Sequence, residues 1–143
     1  MDGERRFEDL PAWQAARAFT MAVYRATDAW PASEREREGL ASQVRGAAVT
    51  VPAKTANGWG GFEPDEPATA SHLVAQTAIS RRSLREAETL LHVAHGLDLL
   101  DDAALEPLLA KAAEVRRRLD RMLDDLPEPE VEIDPFHSPF HDN

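Results

Sequence analysis

The chain has no cysteine, which excludes disulfide bridges, thiolate metal sites and cysteine nucleophiles. It also lacks any apolar run near the roughly 18 residues of a membrane span. The opening Met1-Asp2-Gly3-Glu4-Arg5-Arg6 lacks the basic-then-apolar layout of a secretory signal. A cytoplasmic location away from membranes is therefore the expectation. Period-two alternation is missing over any useful length, so strands are not expected. Residues 127–143 hold five acids and no Lys or Arg.

What is present suits one soluble domain. Of 143 residues, 43% are hydrophobic and 29% charged, enough for a single core. The formal charge of −10 is unevenly spread, because residues 127–143 carry half of it. The net field opposes non-specific binding to nucleic acid, which needs local positive charge.

Periodicity predicts four helices. The first opens near Asp9 or Leu10, with Asp9 placed to cap it and Pro11 tolerated in the first turn. Its stripe is Trp13, Ala16, Thr20, Val23, Thr27 and Trp30, widened by Phe19 and Tyr24 and ended by Pro31. Ser33 and Glu36 form a capping box for the second helix, whose inner positions are Leu40, Val44, Ala47, Ala48, Val51 and Thr55. Pro52 falls inside that pattern and predicts a kink, and Asn57-Gly58 predicts a stop.

A loop over 58–67 leads to the third helix, with its seam at Leu73, Thr77, Ser80, Leu84, Ala87, Leu91 and Ala94. Gly96 closes it. Asp101 or Asp102 opens the fourth, with Leu105, Leu108, Ala112, Val115, Leu119, Met122 and Leu126 on one seam. Alternating three- and four-residue steps are the pattern of bundle packing. Short connections make helices one and two, and three and four, antiparallel neighbours. The expected fold is all-α, an antiparallel up-down four-helix bundle over 1–126 followed by a disordered acidic C-terminal tail over 127–143.

Three stretches carry a resemblance. Phe7-Glu8-Asp9-Leu10 with Trp13, Gln14 and Ala16 opens the chain. Leu40, Gln43, Arg45, Ala47-Ala48-Val49, Val51 and Pro52 follow in the second helix, and Ser83-Leu84, Glu86 and Glu88-Thr89 in the third. These resemble the bacterial four helix bundle proteins. That family includes the proteins encoded by intervening sequences in 23S ribosomal RNA genes and the accessory variability determinant of diversity-generating retroelements. The resemblance implies an up-down bundle that assembles as a ring, typically a pentamer. For the retroelement members it implies a basic surface that binds nucleic acid and a reverse transcriptase. After the proline this chain departs from the family pattern: an Arg- and Lys-rich loop is replaced by Gly60-Gly61-Phe62-Glu63-Pro64-Asp65-Glu66. Trp13, Gln43, Arg45, Pro52, Glu86 and Glu88 read as structural motif positions, with Glu86 and Glu88 hydrogen-bonding to Gln43 and Arg45.

Seven arginines form the main candidate binding zone: Arg81, Arg82 and Arg85 in the third helix, and Arg116, Arg117, Arg118 and Arg121 in the fourth. With the turn centred near 98 or 99, position 81 stands level with position 116. Such a zone can hold phosphate or an acidic partner. It can equally be a solvated face paired with Glu86, Glu88, Glu114 and Asp120, or a contact to a neighbouring subunit. Trp59 and Phe62 read as partner or subunit anchors, or as a cover over the open end of the bundle. Phe136 and Phe140, in a repeated Pro-Phe-His, read as a docking motif or as part of a solubilising tail.

Catalysis is not expected. Glu86 and Glu88 are two apart and diverge on a helix, and no nucleophile–base geometry is visible. His92 and His95 share a face but lack further ligands, so neither a metal nor a cofactor is expected. The function read from the sequence is a non-enzymatic, self-assembling adaptor or scaffold that binds a protein partner. The alternative is a nucleic-acid-binding accessory protein of a reverse-transcriptase system.

Overall fold

A computed structural model describes residues 6–35, 39–59 and 69–126. A short 3-10 turn, Phe7–Asp9, precedes helix α1 (Pro11–Thr27). One further turn, α2 (Ala32–Arg35), leads to three long helices, α3 (Leu40–Trp59), α4 (Ala70–Gly96) and α5 (Asp102–Asp124). Among the described residues there are four long helices and no strand, as the periodicity predicts.

The helix boundaries follow local chemistry, and some differ from expectation. Leu10, not Asp9, occupies the N-cap of α1; its side chain makes no capping bond, and Pro11 begins the helix with a preset φ. Asp9 instead ends the 3-10 turn. The Ser33–Glu36 capping box lies partly outside the described residues, and α3 starts only at Leu40. At the far end α3 runs through Asn57-Gly58 to Trp59, because Gly58 is buried where its missing Cβ lets α4 come close. A Cβ there would stand 3.1 Å from both the Gln76 Cβ and the Leu73 Cδ1. Packing overrides a local stop signal here.

Side chains cap both helices of the second hairpin, and Asp101 is one of the two positions expected to open the fourth. Thr69 accepts a hydrogen bond from the His72 amide at 3.1 Å, and Asp101 from the Ala104 amide at 2.8 Å. Between α4 and α5, Asp98 takes φ 65°, a left-handed conformation that Asp tolerates, and the Leu99 amide returns to the Ala94 carbonyl at 2.9 Å. Residue numbers rise along one helix as they fall along its neighbour. Val51 and Asn57 of α3 meet Ser80 and His72 of α4, while His95 and Glu88 of α4 meet Asp102 and Arg116 of α5.

The core joins all four long helices. Phe19 and Val23 from α1, Val44 and Val51 from α3, Leu84 and Leu91 from α4, and Val115 and Leu119 from α5 are fully enclosed. All seven seam positions of α4 are buried. Trp30 is buried, but Trp13 is only half-buried and Tyr24 is exposed, so the α1 face is narrower than expected. No helix among the described residues is long and apolar enough to cross a membrane.

Candidate functional site

Hydroxyls line the inside of the bundle, and most of them donate to backbone carbonyls. The Thr20 hydroxyl lies 2.9 Å from the carbonyls of both Ala16 and Ala48. The Ala16 carbonyl has its own helical donor, whereas Ala48 has none, because Pro52 four residues on carries no N–H. Thr20 from α1 therefore supplies the donor that Pro52 withholds. Between α3 and α4, Thr55 and Ser80 converge on the Val51 carbonyl at 2.7 and 3.1 Å. Thr77 is fully buried, and its hydroxyl has no partner among the described residues.

The arginines occupy one hairpin, as expected, but acids are interleaved with them. Arg81 pairs with Asp120 at 3.4 Å, Arg116 with Glu88, and both Arg117 and Arg118 with Glu114. Arg81 thus reaches an acid about one turn beyond position 116 along α5. Hydrogen bonds from Arg117 and then Arg118 hold the Glu114 carboxyl below the usual carboxylate range, against the opposing effect of desolvation. Pairs at the surface add little to stability, because solvent screens them. They set the surface charge more than they hold the fold. Arg82, Arg85 and Arg121 are exposed and have no ion pair among the described residues.

At one end of the bundle the helices leave a cavity of 380 Å³. Leu10 and Pro11 from the start of α1, Trp59 from the end of α3, Leu73 from α4, and Met122 and Leu126 from the end of α5 and beyond it provide apolar walls. Arg118, Arg121 and Asp125 also line it. The structure so brings together Trp59 and two members of the arginine zone, which the sequence treats as separate features. The cavity itself was not legible, because its lining comes from four helix ends far apart in the chain. Phe62, Phe136 and Phe140 lie outside the described residues, as does the whole of 127–143.

The histidines are used locally. The His95 Nε2 meets Asp102 at 2.7 Å across the α4–α5 turn, and His92 is exposed. The His72 Nε2 lies 2.8 Å from the Asn57 carbonyl; a carbonyl only accepts, so this nitrogen carries the proton and caps the last turn of α3. No cluster of three or more potential metal ligands occurs among the described residues.

Compared with known families, residues 8–121 match the one described as 23S rRNA-intervening sequence protein. The chain belongs to that family. Among curated proteins, no significant match is found.

Most of the positions that carry the likeness to the 23S rRNA-intervening sequence proteins have structural jobs here. The Phe7 and Trp13 rings meet edge-on at 5.3 Å, and the Gln14 side chain donates to the Glu8 carbonyl at 3.0 Å, which ties the 3-10 turn to α1. Arg45 does not reach Glu86 or Glu88. Its Nε donates to the Thr27 hydroxyl at 2.6 Å, its terminal nitrogen reaches Asp28 at 3.0 Å, and its guanidinium sits 4.9 Å from the Tyr24 ring centre. The cation thus sits at the C-terminal end of α1, where the helix dipole favours it. Glu88 pairs across to α5 instead, and Glu86 is exposed. The diverging directions of 86 and 88 account for the split, since only 88 faces α5.

Proposed function

We propose that this member of the 23S rRNA-intervening sequence protein family is a non-enzymatic, self-assembling bundle that serves as an adaptor or scaffold for a protein partner. The observation that carries the reading is the unpaired cationic set on the second hairpin. Arg82, Arg85 and Arg121 face solvent with no ion pair among the described residues, beside four arginines that share three acids. A partner carrying carboxylates at matching spacing meets these three as charge-assisted, bidentate contacts.

Self-assembly is supported by α3, whose 20 residues include Arg45 and Lys54 but no acid. Its outward positions Gln43, Gly46, Val49 and Ala53 are exposed and uncharged. In a chain that is 29% charged, such a face is suited to cover by another copy. A non-enzymatic role is supported by the use of Thr20, Thr27, Thr55 and Ser80 on backbone carbonyls, with the Thr20 and Ser80 bonds tying one helix to the next.

A second reading, binding of nucleic acid beside a reverse transcriptase, draws on the same three arginines. The charge of −10 and the acidic stretch after Trp59 weigh against it. Affinity capture from the native host, with and without nuclease, separates the two. The proposal expects partner proteins that survive nuclease and are lost with Arg82→Glu/Arg85→Glu. Loss of all partners on nuclease treatment, with steep salt dependence, supports the nucleic-acid reading instead.

A further inference from the structure

The cavity at the end of the bundle has an apolar wall, two arginines and an adjacent length of chain. Leu126, the last described residue, is itself part of the lining. The chain beyond it begins at the lip. From Glu128 to Asp134 it reads Glu-Pro-Glu-Val-Glu-Ile-Asp, four acids without a base, and the Pro-Phe-His repeat with Phe136 and Phe140 follows. We infer that the segment Pro135–Phe140 of the same chain docks its phenyl rings in this cavity, with the acidic stretch before it lying against Arg118 and Arg121.

Size, charge and reach agree. An apolar cavity of about 150 Å³ holds one benzene ring, so 380 Å³ accommodates two rings four residues apart. Arg121 has no ion pair among the described residues, and Arg118 shares Glu114 with Arg117. Both retain donors for incoming carboxylates. Asp125 also lines the cavity and opposes the acids, which places the favourable contacts on the arginine side. Ten residues separate Leu126 from Phe136, a reach of up to about 33–36 Å when extended. A tether this short holds the rings at an effective concentration in the millimolar range, so modest contacts suffice. The docked segment would cover Trp59 and Met122, and any partner that uses this end of the bundle must displace it.

Because the chain has no cysteine, Asn143→Cys gives one thiol for a nitroxide spin label, outside the docking segment and the core. In the full-length protein the reporter is the Trp59 indole N–H resonance, with Trp30, buried beside the opposite end of α1, as reference. The inference predicts that the Trp59 signal loses more than half its intensity while Trp30 keeps its own. Phe136→Ala/Phe140→Ala should restore Trp59 with the label still attached. Without any label, the same double substitution should shift the Trp59 resonance, and Arg121→Glu should shift it in the same direction. Broadening that survives removal of both rings would mean that the tether alone brings the label near, and would overturn the inference. So would an unaffected Trp59, a Trp59 shift produced by Phe62→Ala but not by Phe136→Ala/Phe140→Ala, or broadening only between labelled and observed chains in a mixture.

Discussion

The Thr20 hydroxyl of α1 stands 2.9 Å from the Ala48 carbonyl of α3, the one carbonyl that Pro52 deprives of its helical donor. Sequence position, backbone chemistry and interhelical packing meet in that contact. The proline creates a vacancy inside α3, and the neighbouring helix fills it. Thr20→Val keeps the shape and removes the donor, and should cost about 1–3 kcal/mol, the penalty of a buried unsatisfied carbonyl. In a Pro52→Ala background the amide returns, and the same substitution should cost much less. Urea unfolding of the four proteins of this cycle checks the coupling. Equal losses in both backgrounds would mean that the two residues act independently.

Arg45 joins α3 to the end of α1 through Thr27, Asp28 and Tyr24. Arg45→Met retains most of the stem and removes the donors, with an expected loss of about 1–3 kcal/mol. Amide hydrogen exchange should accelerate first in the last turn of α1. Uniform acceleration across all helices would contradict a local role.

Two glycines of α3 should respond in opposite ways. Nothing lies within 4 Å of a Cβ built at Gly46, so Gly46→Ala should stabilise the isolated bundle by about 0.5–1 kcal/mol. Gly58→Ala places its Cβ 3.1 Å from Leu73 and Gln76 and should destabilise it. Thermal unfolding at fixed protein concentration reads both. If the outward face of α3 joins copies, Gly46→Ala should also weaken assembly.

The Glu114 carboxyl should titrate below the ordinary carboxylate range in the folded protein, because Arg117 and Arg118 hydrogen-bond its charged form. A carboxyl with a lowered folded-state pKa contributes stability above its unfolded value, and that contribution is lost as pH falls through the folded value. The pair is exposed, so the effect on stability is small. Carbon-13 titration of Glu114 in the wild type and in Arg117→Ala/Arg118→Ala checks it; the double substitution should return the midpoint toward the ordinary range.

The legible parts of this structure are those set by short-range rules. The three-four spacing of Leu73 through Ala94 identifies every buried position of α4, and Asp101 caps α5 through its own side chain. Where tertiary contacts compete with local signals, the sequence misleads. Asn57-Gly58 is a stop signal by propensity, yet close packing of α4 carries α3 to Trp59. Tyr24 sits where the core stripe would widen, but its ring is used as a platform for Arg45 at the surface. Glu88 pairs with Arg116 rather than Arg45 because the register of α4 against α5 depends on the backbone of a turn that spacing alone does not define. The arginine zone is legible as a cluster, and so is Glu114 at helical spacing from Arg117 and Arg118, while the pairs of Glu88 with Arg116 and Arg81 with Asp120 depend on that same register.

Native mass spectrometry of the full-length protein, purified gently at low salt, tests the scaffold reading most directly. The account predicts a closed assembly at a small multiple of 15.8 kDa, free of oligonucleotide. A single copy at 15.8 kDa across the accessible concentration range would contradict it, and an assembly that retains nucleic acid would transfer the arginine surface to the second reading.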